Sequence, residues 1–258
     1  MATLVTFHAH PDDEAIGCGG TMAQAAAAGH RVVLVTATRG EHGETPEGFL
    51  KEGDELAAVR VIENQRGADI LGVSRIAYLD YVDSGMMGTP ENDAPGSFWK
   101  ADLEEAAEKL RKILEEERAD VLTIYDEEGT YGHPDHIMVH RVGVRAAELA
   151  GTPRVYESVV PMEQIQRNFQ RMVDNGMEMP FDPAEMKLGV PEATITTVLD
   201  VREFLDQKRE AMRAHASQIP EDSFFLTLPP DLFEEGFGTE HYRLRGAEPG
   251  LQEDRIFD

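Results

Sequence analysis

The chain has 258 residues, of which 41% are hydrophobic, and this is long enough to bury a sizeable core. Its 49 Asp and Glu outnumber its 24 Lys and Arg, and the formal net charge of −25 repels phosphate backbones and anionic lipid, so we expect neither a nucleic-acid partner nor a membrane. The single cysteine, Cys18, excludes an internal disulfide and fits a cytoplasmic location, which the lack of a signal-peptide pattern also favours.

The first half of the sequence alternates β-prone and helical segments. The β-prone runs lie at residues 3–8, 31–37, 75–79, 119–125 and 154–159. Helical patterns separate them at residues 19–29, 53–71, 100–118 and 137–150. The run at 31–37, RVVLVTA, is almost wholly apolar, as is typical of strands buried on both faces of a parallel sheet. This order predicts an α/β fold with a Rossmann-like, mostly parallel sheet and helices on both faces.

The second half of the sequence has weaker patterns. Residues 161–175 and 201–216 have helical spacing, and residues 194–200 favour a strand. Residues 176–193, rich in Met, Pro and Gly, favour a loop or a cap. Because no shift in composition marks a boundary, we expect residues 1–258 to form one domain whose second half completes or caps the site.

Two polar clusters follow predicted strands. The segment HPDDE at residues 10–14 comes after the first strand, and YGHPDH at residues 131–136 comes after the strand predicted at 119–125. The carboxyl ends of parallel strands share one edge of a sheet, and open α/β sheets bind their ligands at this edge. We therefore expect the two clusters to meet there, although they lie far apart along the chain.

These clusters contain the imidazole and carboxylate groups that bind Zn²⁺ in catalytic sites, where three protein ligands leave one position for water. His10 and Asp13 are spaced to supply two ligands from one loop, and a histidine of the second cluster would supply the third. The remaining carboxylate, Asp12, would accept a proton from a water molecule that the metal activates. Each residue alone also fits a structural use, because Asp often caps helices and His often packs in cores. The presence of two such clusters favours the metal site.

Several motifs resemble the LmbE-like, or PIG-L, family of N-acetylglucosaminyl deacetylases. They are AHPDDE at 9–14, TRGEHGE at 38–44, an R-x-x-E helix from Arg60, and HPDH at 133–136. Three further segments resemble the branch of this family that contains the mycothiol deacetylases and amidases: DSGM at 83–86, AHASQ at 214–218 and FGTEHYRL at 237–244. The resemblance implies an LmbE-like fold and a hydrolase that cleaves a linear amide.

The resemblance implies a metal centre and a general base in the two clusters. The metal ligands would be His10, Asp13 and His136, and the metal would be Zn²⁺, with Fe²⁺ as the alternative. Asp12 would be the base that takes a proton from the attacking water and later returns it to the leaving amine.

The resemblance also implies residues that stabilise the reacting groups. Tyr131 would polarise the scissile carbonyl, and His133 would stabilise the oxyanion as an imidazolium. Asp135 would hold a nearby histidine in the required tautomer. Arg60 and Asp83 would contact the sugar of the substrate.

We therefore expect a zinc-dependent hydrolase that removes an acyl group from an N-acyl amino sugar or a related conjugate. The alternatives are cleavage of the mycothiol S-conjugate amidase type and a catalytically silent metal-binding protein. A nucleotide-binding Rossmann enzyme is disfavoured, because HPDDE occupies the phosphate-binding turn and the glycines at 17, 19 and 20 are too close together for G-x-G-x-x-G.

Other polar residues near these motifs are predicted to be structural. We expect His8, His30 and Cys18 to be packing residues, and Glu14 to stabilise its loop. His215, in AHASQ, is a further candidate to face the site.

Overall fold

The computed structural model of the protein describes residues 1–174, 176 and 189–257. Five parallel strands, β1 to β5, form its centre, at Thr3–His8, Arg31–Thr36, Arg75–Tyr78, Val121–Tyr125 and Arg154–Val159. They lie in the order β3-β2-β1-β4-β5, so the strand order reverses between β1 and β4. A crevice forms at the carboxyl ends of these two strands, because the chain leaves them toward opposite faces of the sheet.

Two further strands extend the sheet beyond β5. The strand β7, Thr239–Leu244, pairs antiparallel with β5, and β6, Thr197–Asp200, pairs antiparallel with β7. Over the described residues the sheet therefore has seven strands, in the order β3-β2-β1-β4-β5-β7-β6. The predicted α/β class with a mostly parallel sheet is confirmed, and the second half of the chain adds its strands to the same sheet.

Helices cover both faces of the sheet. They are α1 to α9, at Asp13–Ala27, Leu56–Ile70, Leu103–Glu117, Gly129–Gly132, Pro134–Ala150, Met162–Asp174, Leu205–Ala214, Phe224–Thr227 and Pro230–Phe237. Short 3-10 turns lie at Pro90–Asp93, Phe98–Lys100, Glu192–Thr194 and Arg202–Phe204. The helices α1, α2 and α7 bury one hydrophobic cluster against the sheet, around Met22 and Met212, and α3 and α5 bury a second on the opposite face, around Leu110 and Val142.

The observed helix starts differ from the predicted ones. The helix α1 begins at Asp13 rather than near residue 19, directly after the polar cluster. Closely spaced glycines hide its pattern, and one of them is required by packing, because a Cβ on Gly20 would lie 2.6 Å from the side chain of Val201. The helix α5 begins at Pro134, where proline suits the first helical turn, rather than at residue 137. Each of these helices therefore begins inside one of the two polar clusters.

The second half of the chain contains the predicted elements, and it adds three that were not predicted: α8, α9 and β7. Helices α6 and α7 and strand β6 lie within the segments predicted for them. The pattern of TEHYRL does not predict β7, because its buried residues include the charged Glu240 beside Tyr242. Most of the loop or cap predicted at 176–193 lies outside the described residues. Within the described ranges, no helix is long and apolar enough to cross a membrane.

Candidate metal centre and active site

The two polar clusters meet at the carboxyl ends of β1 and β4. His10 lies two residues beyond β1, and His133 and His136 lie at the start of α5. The ring of His10 is 4.7 Å from that of His133 and 5.5 Å from that of His136, measured between centroids. The expected meeting of the clusters is therefore observed, and it follows from the pairing of β1 with β4.

His10, Asp13 and His136 have a geometry that suits one metal ion. Asp13 Oδ2 lies 3.4 Å from His10 Nδ1 and 3.4 Å from His136 Nε2. Ligands placed ~2.0–2.1 Å from a tetrahedral Zn²⁺ would be about 3.4 Å apart, so these contacts match two edges of such a site. Burial alone would raise the pKa of Asp13, but His136 and His10 hold it well below its ordinary value. Asp13 is thus an ionised carboxylate, as a metal ligand must be.

Buried carboxylates orient the ring of His10. Its Nε2 lies 3.1 Å from Asp135 Oδ2 and 3.5 Å from Asp83 Oδ1, which leaves Nδ1 for the ion. Asp135 is itself fully buried and accepts hydrogen bonds from the backbone N–H of Ser84, at 2.9 Å, and from the Ser84 hydroxyl. Burial lowers the pKa of His10, but its bonds to Asp13, Asp135 and Asp83 outweigh this and raise it well above its usual value. The histidine that Asp135 holds is thus His10.

His133 and Tyr131 lie beside His10 and His136. His133 Nδ1 accepts the backbone N–H of Asp135 at 3.2 Å, so in the neutral ring the proton resides on Nε2. Burial, followed by the charges of His10 and His136, lowers the pKa of His133 to about 4. This favours a neutral imidazole donor over the imidazolium that the family resemblance implies. Tyr131 is 37% exposed, and its hydroxyl lies 3.4 Å from His136 Nε2.

Asp12 has an unusual backbone conformation beside the candidate metal ligands. Its φ of 107° lies in a region that residues other than glycine rarely adopt, and this backbone conformation costs ~1–3 kcal/mol. The backbone N–H of Asp12 donates to Glu14 Oε2 at 2.9 Å. Burial raises the pKa of the Asp12 carboxyl to about 6, because the opposing charge of Arg60 only partly offsets desolvation and the neighbouring Asp13. A carboxylate with this pKa, beside a metal centre, is suited to accept a proton near neutral pH.

Arg60 and Asp83, the expected sugar contacts, both reach the cavity, and both bond to the surrounding loops. Arg60 is buried, and its guanidinium donates to the carbonyls of Gly40 at 2.9 Å and Pro11 at 2.5 Å. Asp83 accepts the backbone N–H groups of Gly85 at 2.8 Å and His42 at 3.2 Å. These bonds give both residues a role in holding the loops that form the site, in addition to any contact with a substrate.

Three polar residues near the site have buried partners that their sequence motifs do not predict. Ser84 binds Asp135, although only its neighbour Asp83 is singled out in DSGM. Glu63, the acidic residue of the R-x-x-E motif, binds Ser217. His215 is completely buried against Glu14 and does not face the cavity. Each of these residues lies in a recognisable motif. Its partner is far away in sequence, so the spacing of residues within the motif cannot predict the contact.

The residues expected to be structural are packed as predicted. His8 is buried between the hydroxyl of Tyr125, at 2.9 Å from its Nδ1, and Cys18 Sγ, at 3.2 Å from its Nε2. Burial raises the pKa of the Cys18 thiol well above its usual value, so Cys18 is not suited to act as a nucleophile. His30 stacks on Phe257 at the opposite end of the sheet, with ring centroids 4.0 Å apart.

The candidate site opens into a cavity of about 980 Å³. Polar residues of the two motifs form part of its wall. Apolar and aromatic side chains form another part, and they include Phe169, Phe224, Phe225, Leu228 and Phe237. The cavity can therefore hold a polar group at the metal centre and a sizeable apolar group beside it.

Comparison with known proteins places the chain in a family. Residues 5–147 match the model of the PIG-L family, described as GlcNAc-PI de-N-acetylase. A 1D-myo-inositol 2-acetamido-2-deoxy-alpha-D-glucopyranoside deacetylase of Geodermatophilus obscurus is 40% identical, over 97% of this chain and 96% of the relative. The enzyme of the same name from Acidothermus cellulolyticus is 42% identical, over 96% of this chain and 90% of the relative.

A solved structure with the same architecture is the N,N'-diacetylchitobiose deacetylase from Pyrococcus horikoshii. It is 25% identical to this chain, with a TM-score of 0.62 over 96% of this chain and 84% of its own. The family match, the relatives and the fold agree with one another. The chain belongs to the PIG-L family of de-N-acetylases and is a hydrolase of amide C–N bonds.

Proposed function

We propose that this protein is a deacetylase, dependent on one divalent metal ion, that removes the acetyl group from an N-acetylglucosaminyl sugar such as the inositol glycoside named for its relatives. The observation that carries the proposal is the position of Asp12. It is a carboxylate of raised pKa, next in sequence to Asp13, and it is not one of the three residues spaced for metal binding. The proposed metal ligands and the proposed general base are therefore different residues, as metal-dependent hydrolysis requires.

His10, Asp13 and His136 would hold the ion, with the donor types that suit Zn²⁺ and also Fe²⁺. When bound, such an ion supplies Lewis acidity toward the acyl oxygen and lowers the pKa of a water molecule to ~7. A second set of possible ligands, His10, Asp83 and His133, shares His10. We favour the first set, because Nε2 of His10, the atom that Asp83 faces, is already bonded to Asp135.

Three side chains would transfer protons and stabilise the negative charge that develops during the reaction. Asp12 takes a proton from the attacking water and returns it to the nitrogen when the C–N bond breaks. The Nε2–H of His133 and the hydroxyl of Tyr131 donate hydrogen bonds to the oxygen that gains negative charge. Partial burial, together with the negative charge of Asp13, raises the pKa of Tyr131, so its hydroxyl keeps the proton that this role needs.

The apolar wall of the cavity favours a second candidate, cleavage of the mycothiol S-conjugate amidase type. A sugar linked to inositol would bind through the polar residues, whereas the aromatic side chains of Phe169, Phe224 and Phe225 would pack against an apolar group carried by a conjugate. Both candidates use the same metal centre and base, and they differ in the group that occupies the rest of the cavity.

The test is amine release by protein loaded with zinc or with iron, compared with the metal-free protein. The substrates are an N-acetylglucosaminyl inositol, an apolar S-conjugate of mycothiol and an N-acetyl dipeptide. We expect metal-dependent release from the sugar substrate at the highest kcat/KM. Preference for the S-conjugate would favour the second candidate. Preference for the dipeptide would refute the sugar assignment, and no release from any of them by metal-loaded protein would refute both candidates.

A further inference from the structure

A buried ion pair lies directly behind Asp12. His215, at the end of α7, and Glu14, in the first turn of α1, both have no exposed surface, and His215 Nε2 lies 2.7 Å from Glu14 Oε1. The other oxygen of the same carboxylate, Oε2, accepts the backbone N–H of Asp12 at 2.9 Å. Glu14 therefore joins an element of the second half of the chain to the backbone of the proposed base.

The backbone of Asp12 needs such support because of its conformation. Its φ of 107° is unfavourable for a residue with a side chain, and such conformations persist only where the surroundings fix them. Glu14 holds the N–H of the Pro11–Asp12 peptide, and Arg60 holds the carbonyl of the same peptide, at 2.5 Å from Pro11 O. Both polar groups of this one peptide are thus bonded to buried charged side chains.

The helix α2 supports both sides of this arrangement. It carries Arg60, which binds the loop at residues 10–12, and Glu63, which accepts the N–H of Ser217 at 2.8 Å and its hydroxyl at 2.6 Å. The second contact fixes the turn that follows α7 and so fixes His215. The R-x-x-E and AHASQ motifs therefore form one connected support on the side of Asp12 away from the cavity.

We propose that His215 is a positioning residue, which acts through Glu14 to hold Asp12 in the backbone conformation that presents its carboxylate to the metal centre. This inference rests on the proposed function, in which Asp12 is the general base. His215 itself lies too deep to touch a substrate, because it has no exposed surface. Its Nε2–H supplies the hydrogen bond that fixes the Glu14 carboxylate, and a side chain with a donor at the same place should replace it.

The test compares two variants at this position. His215→Leu removes the donor, and His215→Gln keeps an N–H at about the position of Nε2. We expect His215→Leu to lower kcat by about 10- to 100-fold, the scale of a misplaced catalytic group, with KM and metal content near those of the wild type. We expect His215→Gln to recover most of this loss. Equal kcat in His215→Leu and the wild type would overturn the inference, as would equal losses in the Leu and Gln variants.

A remote substitution separates positioning from loss of stability. Tyr156→Phe removes a buried hydroxyl that bonds to Arg154 and Glu253, and none of these three residues lines the cavity. We expect it to lower the melting temperature without changing kcat. If His215→Leu does not fold, His215→Asn is measured in its place, since its amide is polar but too short to reach Glu14.

Crystal structures test the inference independently of the reaction. In His215→Leu or His215→Asn we expect Asp12 to leave its positive φ or to shift its carboxylate, with His10, Asp13 and His136 in place. An unchanged Asp12 in the variant would overturn the inference, whatever the kinetics. If the wild type hydrolyses no amide, the proposed function fails, and this comparison still decides whether His215 positions Asp12.

Discussion

Arg60 Nη2 lies 3.3 Å from Asp12 Oδ2, within a guanidinium that also donates to two backbone carbonyls. Burial raises the pKa of Asp12 to about 6, the charge of Arg60 opposes the rise, and the carboxylate of Asp13 adds to it. A bound divalent cation would lower this pKa further. Arg60 therefore keeps more of the proposed base ionised at a given pH than burial alone would allow.

The first prediction is that Arg60→Gln shifts the pH dependence of the reaction to higher pH. Only the ionised form of Asp12 can accept a proton, so activity is lost as the pH falls through its pKa, at or below about 6 in the wild type. Loss of the positive charge of Arg60 raises that pKa. We expect the acidic limb of the kcat/KM profile to move upward, which a pH series on the metal-loaded protein would measure.

Arg39→Gln is the matched control for this prediction. Arg39 pairs with the exposed Asp80 at 2.6 Å and does not bond to Asp12. Its loss should leave the acidic limb in place. An acidic limb that stays in place in Arg60→Gln, or moves to lower pH, would show that Arg60 does not tune the proposed base.

The second prediction is that Asp12→Asn keeps the metal and loses turnover. The amide has nearly the shape of the carboxylate but cannot accept the proton, and a well-placed general base is worth ~10²–10⁴-fold. Metal analysis and kcat on the same preparation measure both effects. Normal turnover would show that Asp12 is not the base, and a loss of metal would show that ligand and base have been exchanged in our assignment.

The third prediction is that His136→Ala loses the metal. His136 Nε2 lies 3.4 Å from Asp13 Oδ2, at the spacing of two ligands on one ion. We expect metal affinity to fall by more than the ~10–100-fold that follows the loss of a supporting residue. Titration with Zn²⁺ against a competing chelator measures this. His140→Ala, one turn further along α5 and bonded to the carbonyl of Tyr125, should bind the metal normally.

The parts of the structure that follow from local pattern were predictable from the sequence. The buried strand at Arg31–Thr36 is apolar almost throughout, because both faces of a central parallel strand are covered. The candidate metal ligands could also be proposed from the sequence, because each motif places its polar residues within a few positions after a strand. The topology rule for open α/β sheets then brings the two motifs together.

The parts that depend on distant partners were not predictable. The strand β7 buries Glu240, which is possible only because the buried Lys208 lies 2.5 Å away and Gly20 and Thr21 of α1 donate their N–H groups to it. His215 likewise finds its partner Glu14 across 201 positions of sequence. A buried charge looks unfavourable in a local window, and only the folded chain shows the groups that compensate it.

The last prediction concerns Ser84, which supports the metal centre without reaching it. Its backbone N–H and hydroxyl both donate to the buried Asp135, whose carboxylate orients His10. Ser84→Ala removes the hydroxyl bond to Asp135, together with the bonds that this hydroxyl accepts from Trp99 N–H and Ser97, and leaves the backbone bond to Asp135. We therefore expect Asp135 to be held less rigidly against His10. Supporting residues of this kind typically contribute ~10–100-fold to metal affinity, and we expect a loss at the lower end of that range with kcat little changed once metal is saturating. Ser97→Ala, which removes bonds to the Ser84 hydroxyl and the Asn92 carbonyl but none to Asp135, should have a smaller effect. Equal metal affinities in wild type and Ser84→Ala, measured against a chelator, would show that the backbone bond alone suffices to hold Asp135 against His10.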